Sequence, residues 1–342
     1  MSIDDVSLTI CTPEEPIRSK MGGCLTQVPT RCGVVRESRR YNPGLRVQNL
    51  LAAIGLILFL ASTAFGAVQT PSEDLEISFN QGFDVAFNGS APIHFGLDTG
   101  LAWDFLLSAE QAHQLALPVI GQHTVHTSDR KEVPGSTSDI VQAKTLLLAG
   151  RTFTDRQGLA APNSHRNDVG ITLFSDLLIT LDYPRDRMRL RAGSLPPANG
   201  KDIIPYTTQP DASFKVLQVS PTVTIKIAGQ SFSALIDTGA HTAYGDVIVP
   251  PEVAAKLPLG DQLGTVTLGD ALGRRFPGVI RQLNGDLTIG SVVIHKPVVT
   301  VTEWLGFVNV GPATKRLVVT IDQKNHLVQL TLPASEPSNN KN

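Results

Sequence analysis

The sequence predicts a mainly β protein built from two similar lobes and preceded by one long apolar segment. Three observations lead to this prediction. Short runs in which apolar and polar residues alternate recur after residue 75, a pattern typical of β-strands with one buried face. Helix-like patterns in the same region are few and short. Several features also occur twice, in the same order and at a nearly constant spacing, which indicates a duplicated module.

The size and charge of the chain narrow the classes of protein to which it can belong. Its 342 residues allow about two domains. A hydrophobic content of 42% is sufficient for sizeable cores. The formal net charge of -2 gives no sign of the strongly basic surface that nucleic-acid binding needs, so the sequence predicts no nucleic-acid partner.

The N-terminal part differs in kind from the rest. Residues 1–46 show no apolar periodicity and are predicted to form a cytoplasmic or disordered tail. Residues 47–68 contain an uncharged run from Leu50 to Val68, which is about the minimum length of a transmembrane helix. Basic residues cluster before this run and none follows it closely, which favours a cytoplasmic N-terminus.

A cleaved signal peptide accounts for the same segment, because Ser62, Ala64 and Gly66 are small enough to serve a signal peptidase. A membrane anchor through residues 49–68 and a cleaved signal both remain open. Either one exports the remainder of the chain: it is held at the cell membrane by a single pass, or it is secreted or periplasmic. The cysteines all precede the segment, so the exported part is predicted to lack disulfides; they are Cys11, Cys24 and Cys32.

An Asp-Thr-Gly motif occurs twice, as FGLDTG around Asp98 and as LIDTG around Asp237, 139 residues later. Other anchors recur at a spacing of 140 residues, namely Gly89/Gly229, Gly150/Gly290 and Asp182/Asp322. Such ordered recurrence indicates two copies of one module. The sequence therefore predicts a first lobe at 75–193, a linker at 194–204, a second lobe at 205–332 and a disordered tail at 333–342.

Each lobe is predicted to contain short strands, one short helix and a closing hairpin. Alternating apolar residues at 85–87 and 93–97 indicate strands that lead into the first motif. Ser108 is a suitable cap for a helix at 108–117, and prolines open a second helix at 250–258. The turn sequences DYPRDR and DQKNH predict the two closing hairpins.

Two Asp-Thr-Gly loops related by a pseudo-twofold axis would bring Asp98 and Asp237 together. Two carboxylates a few ångströms apart share one proton, so one acts as a base toward water and the other as an acid toward a carbonyl oxygen. Hydrogen bonds between Thr99 and Thr238 can brace the loops. Gly100 and Gly239 allow the backbone to approach the carboxylates. This chemistry needs neither a metal ion nor a cofactor.

The region from about residue 80 to residue 332 resembles the retropepsin-like aspartic peptidases, with two lobes fused in one chain. Its motifs are GLDTG followed by Val169-Gly170, and LIDTGA followed by VNVG at 308–311. The resemblance implies a two-lobed acid-protease β-barrel fold with a cleft between the lobes. It also implies an aspartic endopeptidase that acts on a peptide or protein substrate. Asp98 and Asp237 would be catalytic, in a monomer that forms an intramolecular pseudo-dimer.

Two residues, Leu101 and Asp168, depart from the family pattern, whereas Ala240 matches its retroviral type. Leu101 and Ala240 follow the motifs without offering a hydroxyl group to the aspartates, which predicts a less acidic pH optimum. Asp168 stands where an apolar residue is usual. Two alternatives stay open. One is an inactive relative that binds peptides, because Leu101 is bulky, and the other is an active enzyme that pairs like motifs between two chains. Flaps over the cleft are expected at 127–135 and 267–275.

Overall fold

The computed structural model describes residues 74–126, 132–162, 164–208, 220–240, 245–270 and 274–333. The predicted N-terminal tail at 1–46, the apolar segment at 47–68 and the three cysteines lie outside these residues. The predicted C-terminal tail at 333–342 also lies outside them, except for its first residue. Within the described ranges, no helix combines the length and the apolar character that crossing a membrane requires.

The described part of the chain is mainly β, as the alternating pattern predicts. The strands of the first half are β1 (Leu75–Ile77), β2 (Phe83–Phe87), β3 (Ile93–Asp98), β4 (Phe105–Ser108), β5 (Val119–His126), β6 (Glu132–Leu148), β7 (Arg151–Ala161), β8 (Asp168–Gly170), β9 (Leu178–Asp182) and β10 (Arg187–Arg191). Those of the second half are β11 (Ile203–Pro205), β12 (Thr222–Ile227), β13 (Gln230–Leu235), β14 (Val247–Val249), β15 (Leu259–Gly269), β16 (Arg275–Leu283), β17 (Asp286–Ile289), β18 (Val292–His295), β19 (Val298–Val301), β20 (Val308–Asn309), β21 (Val318–Asp322) and β22 (Leu327–Thr331).

Three short α-helices accompany these strands in the described residues: α1 (Ala109–Gln114), α2 (Pro251–Ala254) and α3 (Gly311–Thr314). The predicted cap of α1 is present, because the Ser108 side chain accepts a hydrogen bond from the Gln111 backbone in a capping box. Helix α2 begins at the prolines, as predicted, and its N-cap is Pro250. Short 3₁₀ turns occupy Ile171–Phe174 and Tyr183–Arg185.

One sheet forms each lobe. The first-lobe sheet has the order β2-β3-β8-β4-β7-β6-β5, and an additional pairing of β2 with β6 closes it into a barrel. The second-lobe sheet has the order β15-β16-β19-β14-β20-β13-β12-β17-β18. In each lobe, the strand before the Asp-Thr-Gly motif pairs in parallel with a short strand from much later in the chain: β3 with β8, and β13 with β20.

A third sheet joins the lobes, in the order β1-β10-β9-β21-β22-β11. The predicted closing hairpins are β9–β10 and β21–β22. They meet in the middle of this sheet, where β9 and β21 are antiparallel neighbours. Thr180 lies opposite Thr320 there, with hydroxyl oxygens 3.0 Å apart. Since these threonines are 140 residues apart in sequence, equivalent residues of the two modules meet at this point, as a pseudo-twofold axis requires.

The hydrophobic core explains why apolar and polar residues alternate along the strands. Inward-facing residues of β2 and β3 are buried, with Phe87 and Phe95 each 1% exposed. Phe105 at the start of β4 packs edge-on against Phe87, with ring centroids 5.0 Å apart. Gly158 is required next to this ring, since a Cβ atom there would lie 2.3 Å from Phe105. These contacts fix the strands whose ends carry the first Asp-Thr-Gly motif.

Candidate active site

The two Asp-Thr-Gly loops lie against each other. Thr99 and Thr238 are buried, at 0% and 5% exposure, and each backbone N–H donates to the hydroxyl of the other, at 3.0 and 2.9 Å. Each hydroxyl in turn donates across the junction: Thr99 to the carbonyl of Ile236 at 2.7 Å, and Thr238 to that of Leu97 at 3.2 Å. Four hydrogen bonds between the lobes therefore hold the loops in register.

The carboxyl groups of Asp98 and Asp237 are in hydrogen-bonding contact, and both residues are partly exposed. Each accepts a hydrogen bond from its own loop: Gly100 N–H donates to Asp98 at 2.7 Å, and Gly239 N–H donates to Asp237 at 2.8 Å. The glycines also make room for the opposite carboxylate. A Cβ atom on Gly239 would lie 2.8 Å from Asp98 Oδ2, and one on Gly100 would lie 2.9 Å from Asp237 Oδ1.

The environment of Asp237 favours its protonated form. Burial and the neighbouring Asp98 carboxylate raise the pKa of Asp237 to about 7, against the opposing effect of hydrogen bonds from Asn309 and Gly239. A proton is therefore retained between the two carboxyl groups well above the ordinary range of an aspartate.

Asn309 is a neighbour of the pair that the sequence analysis did not identify. Its amide nitrogen donates to Asp237 Oδ2 at 2.9 Å. Its amide oxygen accepts the Gly311 N–H at 2.8 Å, so the orientation of the amide is fixed. The side chain is 2% exposed and has no freedom to turn. Its position two residues before the glycine of VNVG was the available sequence signal.

Asp168 and Arg166 also lie beside the pair. Asp168 is 1% exposed, and its Oδ1 accepts a hydrogen bond from Arg166 Nη2 at 3.0 Å. Burial, followed by the charge of Asp98, raises the pKa of Asp168 to about 6, while Arg166 opposes this rise. Gly96 provides the space, because a Cβ atom there would lie 2.8 Å from Asp168 Oδ1. The departure from an apolar residue at 168 thus places a third carboxyl group next to the site.

Lys315 contacts the second Asp-Thr-Gly loop through a hydrogen bond. Lys315 Nζ donates to the carbonyl of Thr238 at 2.7 Å and lies 4.4 Å from the ring centroid of Tyr183. Burial lowers the pKa of Lys315 to about 8, partly offset by the charges of Asp237 and Asp98. The lysine is therefore cationic in acidic solution and adds positive charge near the pair.

Leu101 has apolar partners in the first lobe. It packs against an apolar cluster formed by Leu106, Leu159 and Ala161, together with Trp103 and Ile140. Its counterpart Ala240 belongs to a similar cluster in the second lobe. The bulk of Leu101 is thus accommodated in the packing of the first lobe.

Residues of both lobes line a cavity of about 480 Å³ beside the loops, among them Gly96, Arg166, Thr238 and Gly239. The predicted flaps fall on the hairpins β5–β6 and β15–β16. Residues 127–131 and 271–273, which connect these strands, lie outside the described residues, so the role of the hairpins as flaps stays a prediction. In the part of the chain that the structure describes, no group of three or more His, Cys, Asp or Glu side chains is arranged to hold a metal ion.

Many solved structures match the chain, whereas comparisons with family models and curated proteins find no match. The chain is similar to the crystal structure of a retropepsin-like aspartic protease from Rickettsia conorii. The identity is 19% and the TM-score is 0.29, and the match covers 35% of this chain and 91% of that chain.

Proposed function

We propose that the chain is an aspartic endopeptidase that hydrolyses peptide bonds with a water molecule activated between Asp98 and Asp237. The observation that carries this proposal is the contact between the two carboxyl groups, held by the reciprocal hydrogen bonds of Thr99 and Thr238. Structural stability does not require two partly exposed carboxyl groups in contact, since like charges repel. General acid–base catalysis can use such a pair, with one carboxyl group as the base and the other as the acid.

The proposed reaction proceeds through a tetrahedral intermediate. The pair, which holds one proton, binds water. The ionised carboxylate removes a proton from the water as its oxygen forms a bond to the carbonyl carbon of the substrate. The protonated carboxyl group donates its proton to the carbonyl oxygen, so the intermediate is a neutral gem-diol. Collapse of the intermediate breaks the C–N bond: one carboxyl group of the pair gives its proton to the departing amine, and a hydroxyl of the gem-diol returns a proton to the other as the new carboxyl group forms.

The residues around Asp237 support a pair in which one carboxyl group acts as the base and the other as the acid. The raised pKa of Asp237, about 7, supports a pair that holds one proton over a broad acidic range. Asn309 donates to one oxygen of Asp237 and Gly239 to the other, which favours a fixed orientation of that carboxyl group. The site is thus preorganised before a substrate arrives.

The test is cleavage of a peptide library by the full chain in detergent, from about pH 3 to about pH 8, in water enriched in ¹⁸O. The proposal expects internal cleavage with one label in each new carboxyl group. It also expects no covalent peptide–enzyme intermediate after rapid quenching. Binding of peptides without cleavage at any pH would instead favour an inactive relative of the same fold.

The location of the protein is a separate part of the proposal, and it rests on the sequence of residues 49–68. We expect the protein to be anchored at the cell membrane with Asp98 and Asp237 outside the cytoplasm. Recovery in the membrane fraction after an alkaline carbonate wash would support an anchor. Recovery as a shortened soluble form outside the cytoplasm would support a cleaved signal instead.

A further inference from the structure

Asp168 and Asn309 hold equivalent positions in the two lobes. Each stands two residues before a glycine, Gly170 or Gly311. Each also lies on the short strand that pairs in parallel with the strand leading to an aspartate. In β8, Asp168 is opposite Gly96, and in β20, Asn309 is opposite Leu235. Gly96 and Leu235 both lie two residues before the aspartate of their motif.

The two side chains differ in chemistry although their positions match. Asn309 donates a hydrogen bond to Asp237 and carries no charge. Asp168 brings a negative charge close to Asp98, together with the positive charge of Arg166. The Asp168 side chain is 2% exposed, whereas that of Arg166 is 38% exposed and reaches the cavity. Asp168 Oδ2 is buried and has no hydrogen-bond partner. A buried carboxylate oxygen without a partner costs stability, which favours a functional reason for its presence.

We propose, on the basis of the function proposed above, that Asp168 is a positioning residue of the active site. Its carboxylate offsets the charge of Arg166 beside Asp98, so the pair Asp98–Asp237 keeps its shared proton nearer to neutral pH. The physical reason is electrostatic. An unpaired guanidinium would stabilise the fully ionised pair and draw the proton away at lower pH. A paired guanidinium leaves the proton in place and still presents its free N–H groups to the cavity.

The other charged groups around Asp168 are few. Asp98 acts on Asp168 from the first motif loop, Asp98 and Asp237 both act on Arg166, and Lys315 lies near both aspartates. The remaining titratable side chains on the same cavity are His94, His165 and Tyr183. The pKa of His94 is raised by its hydrogen bonds to the Gln81 carbonyl and to Asp84. Burial raises the pKa of Tyr183 far above neutrality, so Tyr183 stays uncharged.

Asp168 ionises in the pH range in which the aspartate pair would lose its shared proton. Since its pKa is raised to about 6, Asp168 becomes anionic as the solution approaches neutrality. Its charge therefore develops where the shared proton of the pair would otherwise begin to leave. The Asp168 carboxylate raises the pKa of the pair, because a nearby anion makes the loss of a proton from a carboxyl group less favourable.

The test is the pH profile of kcat/KM for four forms of the full chain: the parent, Asp168→Asn, Arg166→Gln and the double variant. Asp168→Asn removes a negative charge and should move the alkaline limb to lower pH by about one unit. Arg166→Gln removes a positive charge and should move that limb to higher pH. The double variant removes both charges and should return the limb close to its position in the parent.

Opposite shifts that cancel cannot come from loosening of the fold, which would lower activity at every pH. Thermal unfolding of each variant identifies any that fails to fold, and Arg166→Gln, at a half-exposed side chain, remains informative if Asp168→Asn does not fold. An active parent whose alkaline limb is unmoved in the folded single variants, or moved the same way in both, would overturn this inference alone. A parent without peptidase activity would overturn the proposed function and this inference with it.

Discussion

Thr99 and Thr238, which are 139 residues apart, donate their backbone N–H groups to each other's hydroxyl oxygens at 3.0 and 2.9 Å. Both side chains are buried, so these bonds are shielded from water. The contact makes the geometry of the two aspartates depend on both lobes at once. A change in either threonine should therefore affect the junction between the lobes as well as its own loop.

Replacing Thr238 tests this dependence. Thr238→Val keeps the shape of the side chain but removes a hydroxyl that accepts from Thr99 N–H and donates to the Leu97 carbonyl. Because two buried backbone groups lose their partner, we expect a loss of about 2–4 kcal/mol in the free energy of unfolding. Thr238→Ser retains the hydroxyl and is the matched control. Urea unfolding measures both, and equal stability of the Val and Ser variants would contradict the prediction.

A methyl group on Gly239 should greatly reduce activity. Its Cβ would lie 2.8 Å from Asp98 Oδ2, closer than real contacts allow, so the carboxyl group has to move. We expect Gly239→Ala to reduce kcat/KM by about 100-fold or more, since catalytic groups tolerate little displacement. Gly260→Ala serves as the control, because its Cβ would meet no atom closer than 3.4 Å. Comparable activity in the two alanine variants would show that the close approach at Gly239 is unimportant.

The raised pKa values also predict how stability changes with pH. Asp168 and Asp237 have native pKa values of about 6 and about 7, against 3.8 ordinarily. The native state therefore binds more protons than the unfolded state between about pH 4 and pH 7, and stability falls as the pH rises through this window. Asp168→Asn should flatten the decline by on the order of 2–3 kcal/mol between pH 4 and pH 6. Parallel urea curves for parent and variant across that range would disprove this assignment.

We expect Lys315 to affect both the activity and its pH dependence. Lys315→Met retains the apolar stem over Tyr183 but removes the hydrogen bond to the Thr238 carbonyl. We expect a fall in kcat/KM of about 10-fold and an alkaline limb at higher pH, because a cation near the aspartate pair is lost. Lys315→Arg, which keeps the charge, should preserve the limb. A profile that is identical in the Met variant and the parent would exclude an electrostatic contribution from Lys315.

The sequence predicted the features that depend on local pattern or on duplication. The hairpins β9–β10 and β21–β22 follow from turn residues between apolar runs, and the cap of α1 follows from Ser108. The proximity of Asp98 and Asp237 follows from a repeated motif, because equivalent residues of duplicated modules meet at a pseudo-twofold axis. None of these predictions required knowledge of which distant strands pair.

The neighbours of the aspartate pair could not be predicted in this way. Asp168 approaches Asp98 because β8 pairs in parallel with β3 about 70 residues earlier, and parallel pairing leaves no local sequence signal. The position of Arg166 near Asp98 depends on the same strand pairing. Lys315 reaches Thr238 only because α3 follows the strand beside the second motif. Asp168 and Asn309 share one sequence signal, since each stands two residues before a glycine, Gly170 or Gly311.

We propose that the two Asp-Thr-Gly motifs form one active site within one chain. The most direct measurement is peptide cleavage by the full chain beside Asp98→Asn and Asp237→Asn, with mixing of the two inactive variants as a further arm. We predict that each single variant loses cleavage and that the mixture does not regain it, because both carboxyl groups belong to one molecule. Cleavage that survives in either single variant would contradict the shared pair. Activity restored by mixing would show that the motifs pair between chains.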